Sequence, residues 1–137
     1  MNDTSRRTLR QMLDEANAAI KAVSAEEAIE LARREDHLLI DLRDIRELAR
    51  DGRIDGAFHC PRGMLEFWLD EESPYCKDVF RVPGMSYVFF CAGGARSALA
   101  TKTAQDMGLS PVMHVAGGFG AWVASGGPVL TGEGRRG

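Results

Sequence analysis

Short apolar runs alternate with longer amphipathic segments through most of this 137-residue chain, and this alternation limits its fold more than any other feature. The clearest apolar runs are residues 38–42, 87–90 and 112–115. Continuous apolar runs of this kind are typical of strands buried on both faces of a parallel sheet, with helices as the crossover connections. We therefore expect an α/β fold, with an open sheet of about five mostly parallel strands and helices on both faces.

The same patterns, together with capping residues and helix-ending glycines, place the individual elements. Strands are expected at residues 20–23, 38–42, 56–60, 87–91 and 112–115, and helices at residues 6–20, 24–33, 45–50, 64–69, 96–107 and 118–125. Residues 70–84 are expected to form an irregular connection. The N-terminal amphipathic helix defines an N-terminal helical extension (1–19), which is followed by one domain (20–130) and a flexible tail (131–137).

Charge and cysteine content narrow the function classes. The 17 Lys and Arg residues, against 20 Asp and Glu, give a formal net charge of −3 that is spread along the chain, so we expect no nucleic-acid partner. No apolar run approaches the ~20 residues of a membrane span, and no signal-peptide core is found, so we expect a cytoplasmic protein that does not bind membranes. The three cysteines lack C-x-x-C spacing, which argues against a metal site.

One cysteine stands at the end of an expected strand and before a glycine-rich turn. The apolar residues 87–90 lead into a loop composed of Cys91, Ala92, Gly93, Gly94, Ala95, Arg96 and Ser97. In an open parallel sheet, the carboxyl ends of the strands form the ligand crevice. Backbone N–H groups of such a loop, and the positive end of the following helix, favour an anion at the sulfur. The loop therefore predicts a thiolate nucleophile at Cys91, with anion binding by residues 92–97.

Four segments, in order along the chain, resemble the rhodanese-like family of sulfurtransferases, specifically its single-domain members. Residues 40–43 are similar to the family's D-x-R segment, and residues 52–57 (G-R-I-D-G-A) to its G-H-I-P-G-A. The third segment is the cysteine loop. The fourth is residues 117–122 (G-G-F-G-A-W) with 127–128, which are similar to the family's G-G-x-x-A-W…G-x-P ending. The resemblance covers about residues 20–128.

The resemblance implies a function and a role for the matching residues. Cys91 would attack the outer sulfur of a donor, thiosulfate or a persulfide, and would carry that sulfur as a persulfide until a thiol or cyanide accepts it. Loop N–H groups would stabilise the terminal sulfur, and neither a metal nor an organic cofactor is implied. Asp41 and Arg43 lie two residues apart at a strand end, and the resemblance agrees with a role for this pair as braces between neighbouring loops.

The cysteine loop departs from the commonest family pattern, C-R-x-G-x-R-S, because Ala92 stands where an arginine is usual. One cation fewer at the mouth predicts weaker attraction for the dianion thiosulfate, which favours a persulfide donor at least equally. Arg62, just after the strand expected at residues 56–60, is a candidate replacement for this cation. On this hypothesis, Arg62→Ala should weaken thiosulfate use more than persulfide use.

Two other functions fit parts of the sequence. Cysteine phosphatases and arsenate reductases also bind an oxyanion between cysteine and arginine, but their C-x-x-x-x-x-R loop is one residue longer than the segment from Cys91 to Arg96. A non-catalytic interaction module is the other alternative, with residues 6–20 as a docking helix for a protein partner. Packing of this helix on its own domain is the simpler expectation, because amphipathic helices usually bury their apolar side within the same chain.

Overall fold

A parallel sheet organises residues 6–131, the part of the chain that the computed structural model describes. Its strands are β1 (Lys21–Val23), β2 (His37–Asp41), β3 (Phe58–His59), β4 (Ser86–Phe90) and β5 (Val112–Val115). The α-helices are α1 (Leu9–Ala19), α2 (Ala25–Leu31), α3 (Ile45–Asp51), α4 (Leu65–Leu69), α5 (Ala95–Asp106) and α6 (Gly118–Ala124). The strand order is β1-β5-β4-β2-β3 with every pairing parallel, which confirms the expected fold class.

Two apolar cores lie on opposite faces of the sheet, because successive side chains of a strand point to opposite sides. On β4, Val88 and Phe90 pack into one core with buried residues of α2 and α6. Tyr87 and Phe89 pack into the other core with buried residues of α4 and α5. This two-sided burial explains why the strand is a continuous apolar run. It also leaves the carboxyl ends of the strands, which are followed by loops, as the edge available for chemistry.

Helix α1 packs on the domain rather than standing free. The helix begins at Leu9 instead of residue 6 because Thr8 caps it, forming reciprocal hydrogen bonds with the residue at the third helical position. Ala16 is buried, and Gln105 of α5 donates from its side-chain amide to the Ala19 carbonyl over 3.0 Å. The contact between α1 and α5 is the packing expected for this amphipathic segment. Of the expected tail (131–137), residues 132–137 lie outside the described residues, as do residues 1–5.

Two expectations about local structure are wrong in detail. The strand expected at residues 56–60 is reduced to Phe58–His59, because Gly56 adopts a positive φ of +85° and turns the chain just before it. The connection expected to be irregular at residues 70–84 contains a 3₁₀ helix, Asp78–Arg81, whose Phe80 is buried among the aromatic side chains of one core. Val79 packs on the same core, and the Tyr87 hydroxyl donates to the Val79 carbonyl over 2.7 Å; these few local contacts give no periodic signal in the sequence.

Candidate active site

Cys91 directly follows β4, which lies at the centre of the sheet between β5 and β2. The residue is 1% exposed, at the base of the loop that leads into α5. The loop turns at Gly94, whose φ of +110° lies in the left-handed region, and α5 begins at the next residue. A Cβ on Gly94 would lie 3.4 Å from the backbone nitrogen of Gly117, so glycine serves both the turn and the close approach of two loops.

The Cys91 sulfur accepts two backbone hydrogen bonds from the loop that follows it. The N–H of Gly94 donates to Sγ over 3.1 Å, and the N–H of Ser97 donates over 3.3 Å. Both donors belong to the turn and first residues of α5, where backbone N–H groups have no partner within the helix. Two N–H groups of the loop therefore lie against the sulfur, and the anion-binding role expected of residues 92–97 stays a prediction.

The first residues of α6 form hydrogen bonds with two carbonyl groups of the cysteine loop. Phe119 donates its N–H to the Cys91 carbonyl over 2.8 Å, and Gly120 donates to the Ala92 carbonyl over 3.1 Å. Gly118 makes this contact possible, because a Cβ at its position would lie only 2.4 Å from the Cys91 carbonyl oxygen. The G-G segment at residues 117–118, part of the fourth segment of the family resemblance, thus docks directly on the cysteine loop.

The D-x-R pair forms a buried ion pair beside the site. Arg43 is 0% exposed and donates from Nε and Nη2 to the two carboxylate oxygens of Asp41 over 3.0 and 2.8 Å. Its Nη2 also donates to the Gly52 carbonyl over 2.9 Å, and its guanidinium carbon lies 4.1 Å from the ring centre of Phe119. The pair joins the loop after β2 to the end of α3 and to α6. This geometry is that of a brace and supports the structural role expected for both residues.

Arg96 is held by an acidic residue that the sequence interpretation missed. Its two terminal nitrogens donate to both carboxylate oxygens of Glu47 over 2.8 and 3.0 Å. The Arg96 guanidinium holds the pKa of Glu47 below its usual range. The spacing of Asp44 and Glu47 signals a capping box at the start of α3, which the structure contains. Nothing local in the sequence indicates that the same carboxylate reaches a residue 49 positions away.

His114 of β5 is a second residue that the sequence interpretation missed, and it contacts Ser97 of the loop. Its Nδ1 is 2.8 Å from the Ser97 hydroxyl oxygen, and the same hydroxyl donates to the Gly94 carbonyl over 3.2 Å. Burial lowers the pKa of His114, which favours a neutral ring. Ser97 and Gly94 are the two residues whose N–H groups bind the Cys91 sulfur. The hydroxyl therefore ties both sulfur-binding residues to each other and to the adjacent strand.

The structure gives Arg62 an acidic partner of its own. Its Nη1 donates to the Glu66 carboxylate over 2.9 Å, one helical turn along the chain. Arg62 also lines a cavity of about 240 Å³ between α1 and α5, together with Leu99 and Lys102. The Arg62 side chain thus bonds to α4, and its backbone N–H donates to the Leu42 carbonyl over 3.1 Å. The suggested role of Arg62 in donor binding stays a prediction.

The described part of the chain comprises residues 6–131. Within this range, no group of three or more His, Cys, Asp or Glu side chains is arranged to hold a metal ion. In the same range, no helix combines the length and the apolar character needed to cross a membrane.

Comparison with known families agrees with this geometry. The family model for the rhodanese-like domain matches residues 24–125. The chain belongs to the rhodanese-like domain family. This match contains the cysteine loop, the Asp41–Arg43 pair and α6, and it confirms the resemblance drawn from the sequence motifs.

Individual relatives of this rhodanese-like protein carry two kinds of name. A sulfurtransferase from Allochromatium vinosum is 34% identical over 104 residues, covering 76% of this chain and 88% of its own length. The polysulfide-sulfur transferase homodimer from Wolinella succinogenes is 32% identical, with a TM-score of 0.68, covering 89% of this chain and 86% of its own. A protein of unknown function from Rhodopseudomonas palustris, described as a possible tyrosine phosphatase, is 53% identical with a TM-score of 0.87, covering 94% and 98%.

Proposed function

We propose that this protein is a sulfurtransferase that carries sulfane sulfur as a persulfide on Cys91. The observation that carries the proposal is the pair of backbone hydrogen bonds to the Cys91 sulfur from Gly94 and Ser97, in a loop at the centre of the sheet edge. Such donors stabilise a thiolate, which is the nucleophilic form of cysteine. The relatives named as sulfurtransferases support the same substrate class.

The reaction has two steps that balance without a cofactor. In the first, the Cys91 thiolate attacks the outer sulfur of the donor, and the remainder of the donor leaves with the electron pair of the broken bond. Thiosulfate would release sulfite, and a persulfide would release a thiolate. In the second, an acceptor such as a thiolate or cyanide attacks the terminal sulfur, and the pair of the S–S bond returns to Cys91.

The loop suits both states of the sulfur. Before transfer, the N–H groups of Gly94 and Ser97 hold the thiolate in place. After transfer, the negative charge lies on the terminal sulfur, and the N-terminal end of the 12-residue helix α5 supplies a favourable potential for it. Because α6 fixes the carbonyls of Cys91 and Ala92, these N–H groups are oriented before the donor arrives.

Intact mass spectrometry tests the proposal directly. The protein is incubated with thiosulfate, or with a low-molecular-weight persulfide, and then freed of small molecules. Cys91 should gain one sulfur atom, which cyanide should remove as thiocyanate. Cys91→Ser should gain none, whereas Cys76→Ser, which removes the partly exposed cysteine, should behave as the wild type does. If no donor gives an adduct, or if Cys91→Ser retains it, the proposal fails and a binding module with α1 as its docking helix becomes the better hypothesis.

A cysteine phosphatase is the second candidate, because the relative from Rhodopseudomonas palustris is described as a possible tyrosine phosphatase. Two features of this chain oppose it. The loop from Cys91 to Arg96 is one residue shorter than the phosphatase pattern, which narrows the space for a tetrahedral phosphate. The arginine that would bind phosphate is also paired to Glu47 through both terminal nitrogens. Cys91-dependent hydrolysis of a phenyl phosphate ester, without sulfur loading, would favour the phosphatase.

A further inference from the structure

We propose that Glu47 is a specificity-determining residue that makes the site select singly charged sulfur donors over doubly charged ones. The inference rests on the proposed sulfur transfer and adds to it a substrate class and a residue that sets it. Glu47 belongs to α3, outside the cysteine loop, and its carboxylate contacts the arginine of that loop. It therefore acts on the donor by controlling the charge at the entrance of the site.

The Glu47 carboxylate is fixed from two sides. One oxygen accepts from Arg96 Nη1 over 2.8 Å and from the Asp44 backbone N–H over 3.0 Å, and the other oxygen accepts from Arg96 Nη2 over 3.0 Å. The Glu47 side chain is only 17% exposed. An incoming anion cannot recruit Arg96 without breaking a bidentate, partly buried ion pair, and charge-assisted pairs of this geometry are the strong ones.

Neither the other residues of the loop nor the arginines Arg43 and Arg62 replace the positive charge that Ala92 lacks. Ala92 and Ala95 are uncharged, Arg43 is buried against Asp41, and Arg62 is paired with Glu66. With a thiolate at Cys91, the thiolate and the Arg96–Glu47 pair carry a net charge of −1. Each additional negative charge on a donor is therefore repelled, and the penalty is larger for a dianion than for a monoanion.

Two donors of nearly the same shape separate charge from chemistry. Thiosulfate is a dianion, and methanethiosulfonate is a monoanion in which a methyl group replaces one oxygen. In each case the Cys91 thiolate attacks the outer sulfur, the S–S bond of the donor breaks, and the leaving group takes the electron pair. The leaving groups are sulfite and methanesulfinate, respectively. Any change in the ratio of the two rates then reports on charge at the entrance.

The experiment measures the second-order rate of sulfur loading on Cys91 for both donors in the wild type and in Glu47→Gln. Glutamine keeps the capping interaction with the Asp44 N–H and removes the charge. Loading by thiosulfate should rise about tenfold and loading by methanethiosulfonate about threefold, because one repulsive unit charge near the site is removed. Glu30→Gln is the matched control: it removes a carboxylate of α2 that is paired with Arg33, and it should change neither rate.

Salt provides a second measurement that needs no variant. In the wild type, raising the ionic strength should screen the repulsion and increase the thiosulfate rate relative to the methanethiosulfonate rate, and this effect should weaken in Glu47→Gln. An unchanged rate ratio in a folded Glu47→Gln protein, or a ratio that falls with salt in the wild type, overturns the inference while sulfur transfer stands. If neither donor loads Cys91, the failure belongs to the proposed function instead.

Discussion

Gly118→Ala tests how strongly α6 controls the cysteine loop. Gly118 has a φ of +61°, and a Cβ built on it would lie 2.4 Å from the Cys91 carbonyl oxygen and 2.8 Å from two atoms of the Ala92 carbonyl group. These neighbours are backbone atoms, so they cannot move aside by a side-chain rotation. The substitution must push α6 away from the loop or shift the loop itself.

The expected cost follows from two effects. An alanine in the left-handed region is destabilised by about 1 kcal/mol. Displacement of α6 also breaks the hydrogen bonds from Phe119 and Gly120 to the loop carbonyls, at about 1 kcal/mol each. The free energy of unfolding should therefore fall by about 3 kcal/mol, which at an m value of about 2 kcal/mol per M lowers the urea midpoint by about 1.5 M.

Gly126→Ala is the control that separates backbone strain from the clash. Gly126 has a φ of +84°, but a Cβ there would have no atom within 4 Å, so only the cost of about 1 kcal/mol should remain. In Gly118→Ala, the rate of sulfur loading on Cys91 should fall at least about tenfold, because the N–H donors to the Cys91 sulfur move with the loop. In Gly126→Ala, the rate should stay near that of the wild type. Equal losses of stability in the two variants would refute the reasoning.

Three further predictions concern buried groups. Burial raises the pKa of Cys60 to about 12, so iodoacetamide at pH 8 should label Cys60 only after unfolding; peptide mapping that finds native Cys60 labelled as fast as Cys76 would contradict this. Burial lowers the pKa of His114 below its ordinary value, so the unfolded chain binds a proton first as the pH falls. Stability should therefore decrease as the pH drops below about 6.5 towards the folded pKa. His114→Asn should flatten this part of the pH profile of urea unfolding, and an unchanged slope would argue against the prediction. Asp41→Asn leaves the Arg43 guanidinium buried without a counter-charge and should cost about 3–5 kcal/mol of unfolding free energy, whereas a loss below about 1 kcal/mol would show that the pair is not a brace.

The fold was predictable wherever burial leaves a periodic trace. The runs at residues 38–42, 87–91 and 112–115 mark the three central strands because both faces of the sheet are covered, and each helix between them begins or ends at a recognisable residue. The bounds of the short edge strand β3 and the presence of the 3₁₀ helix Asp78–Arg81 were not, because the first depends on one turn and the second on a few local contacts. Too few residues take part in either to give a period.

In the candidate site, contacts between residues near in sequence were predictable, whereas contacts between distant segments were not. The hydrogen bonds to the Cys91 sulfur were predictable because the two N–H donors, Gly94 and Ser97, follow the cysteine closely in the chain. Glu47 and His114 were not, because their contacts with Arg96 and Ser97 depend on which strands are neighbours. Only the observed order, with β4 between β2 and β5, brings α3 and β5 against the two sides of the loop. Residue patterns predict the strands but not this order.

The hydrogen bond from Phe119 to the Cys91 carbonyl also sets the time at which the site can form during synthesis. Translation adds about 5–20 residues per second, so α6 leaves the ribosome a second or more after Cys91 does. Until α6 docks, the carbonyls of Cys91 and Ala92 lack the two N–H donors of α6 that hold the loop. In a nascent chain Cys91 therefore lies in a loop that α6 does not yet hold, and the loop reaches its final geometry only after the last residues of α6 have left the ribosome.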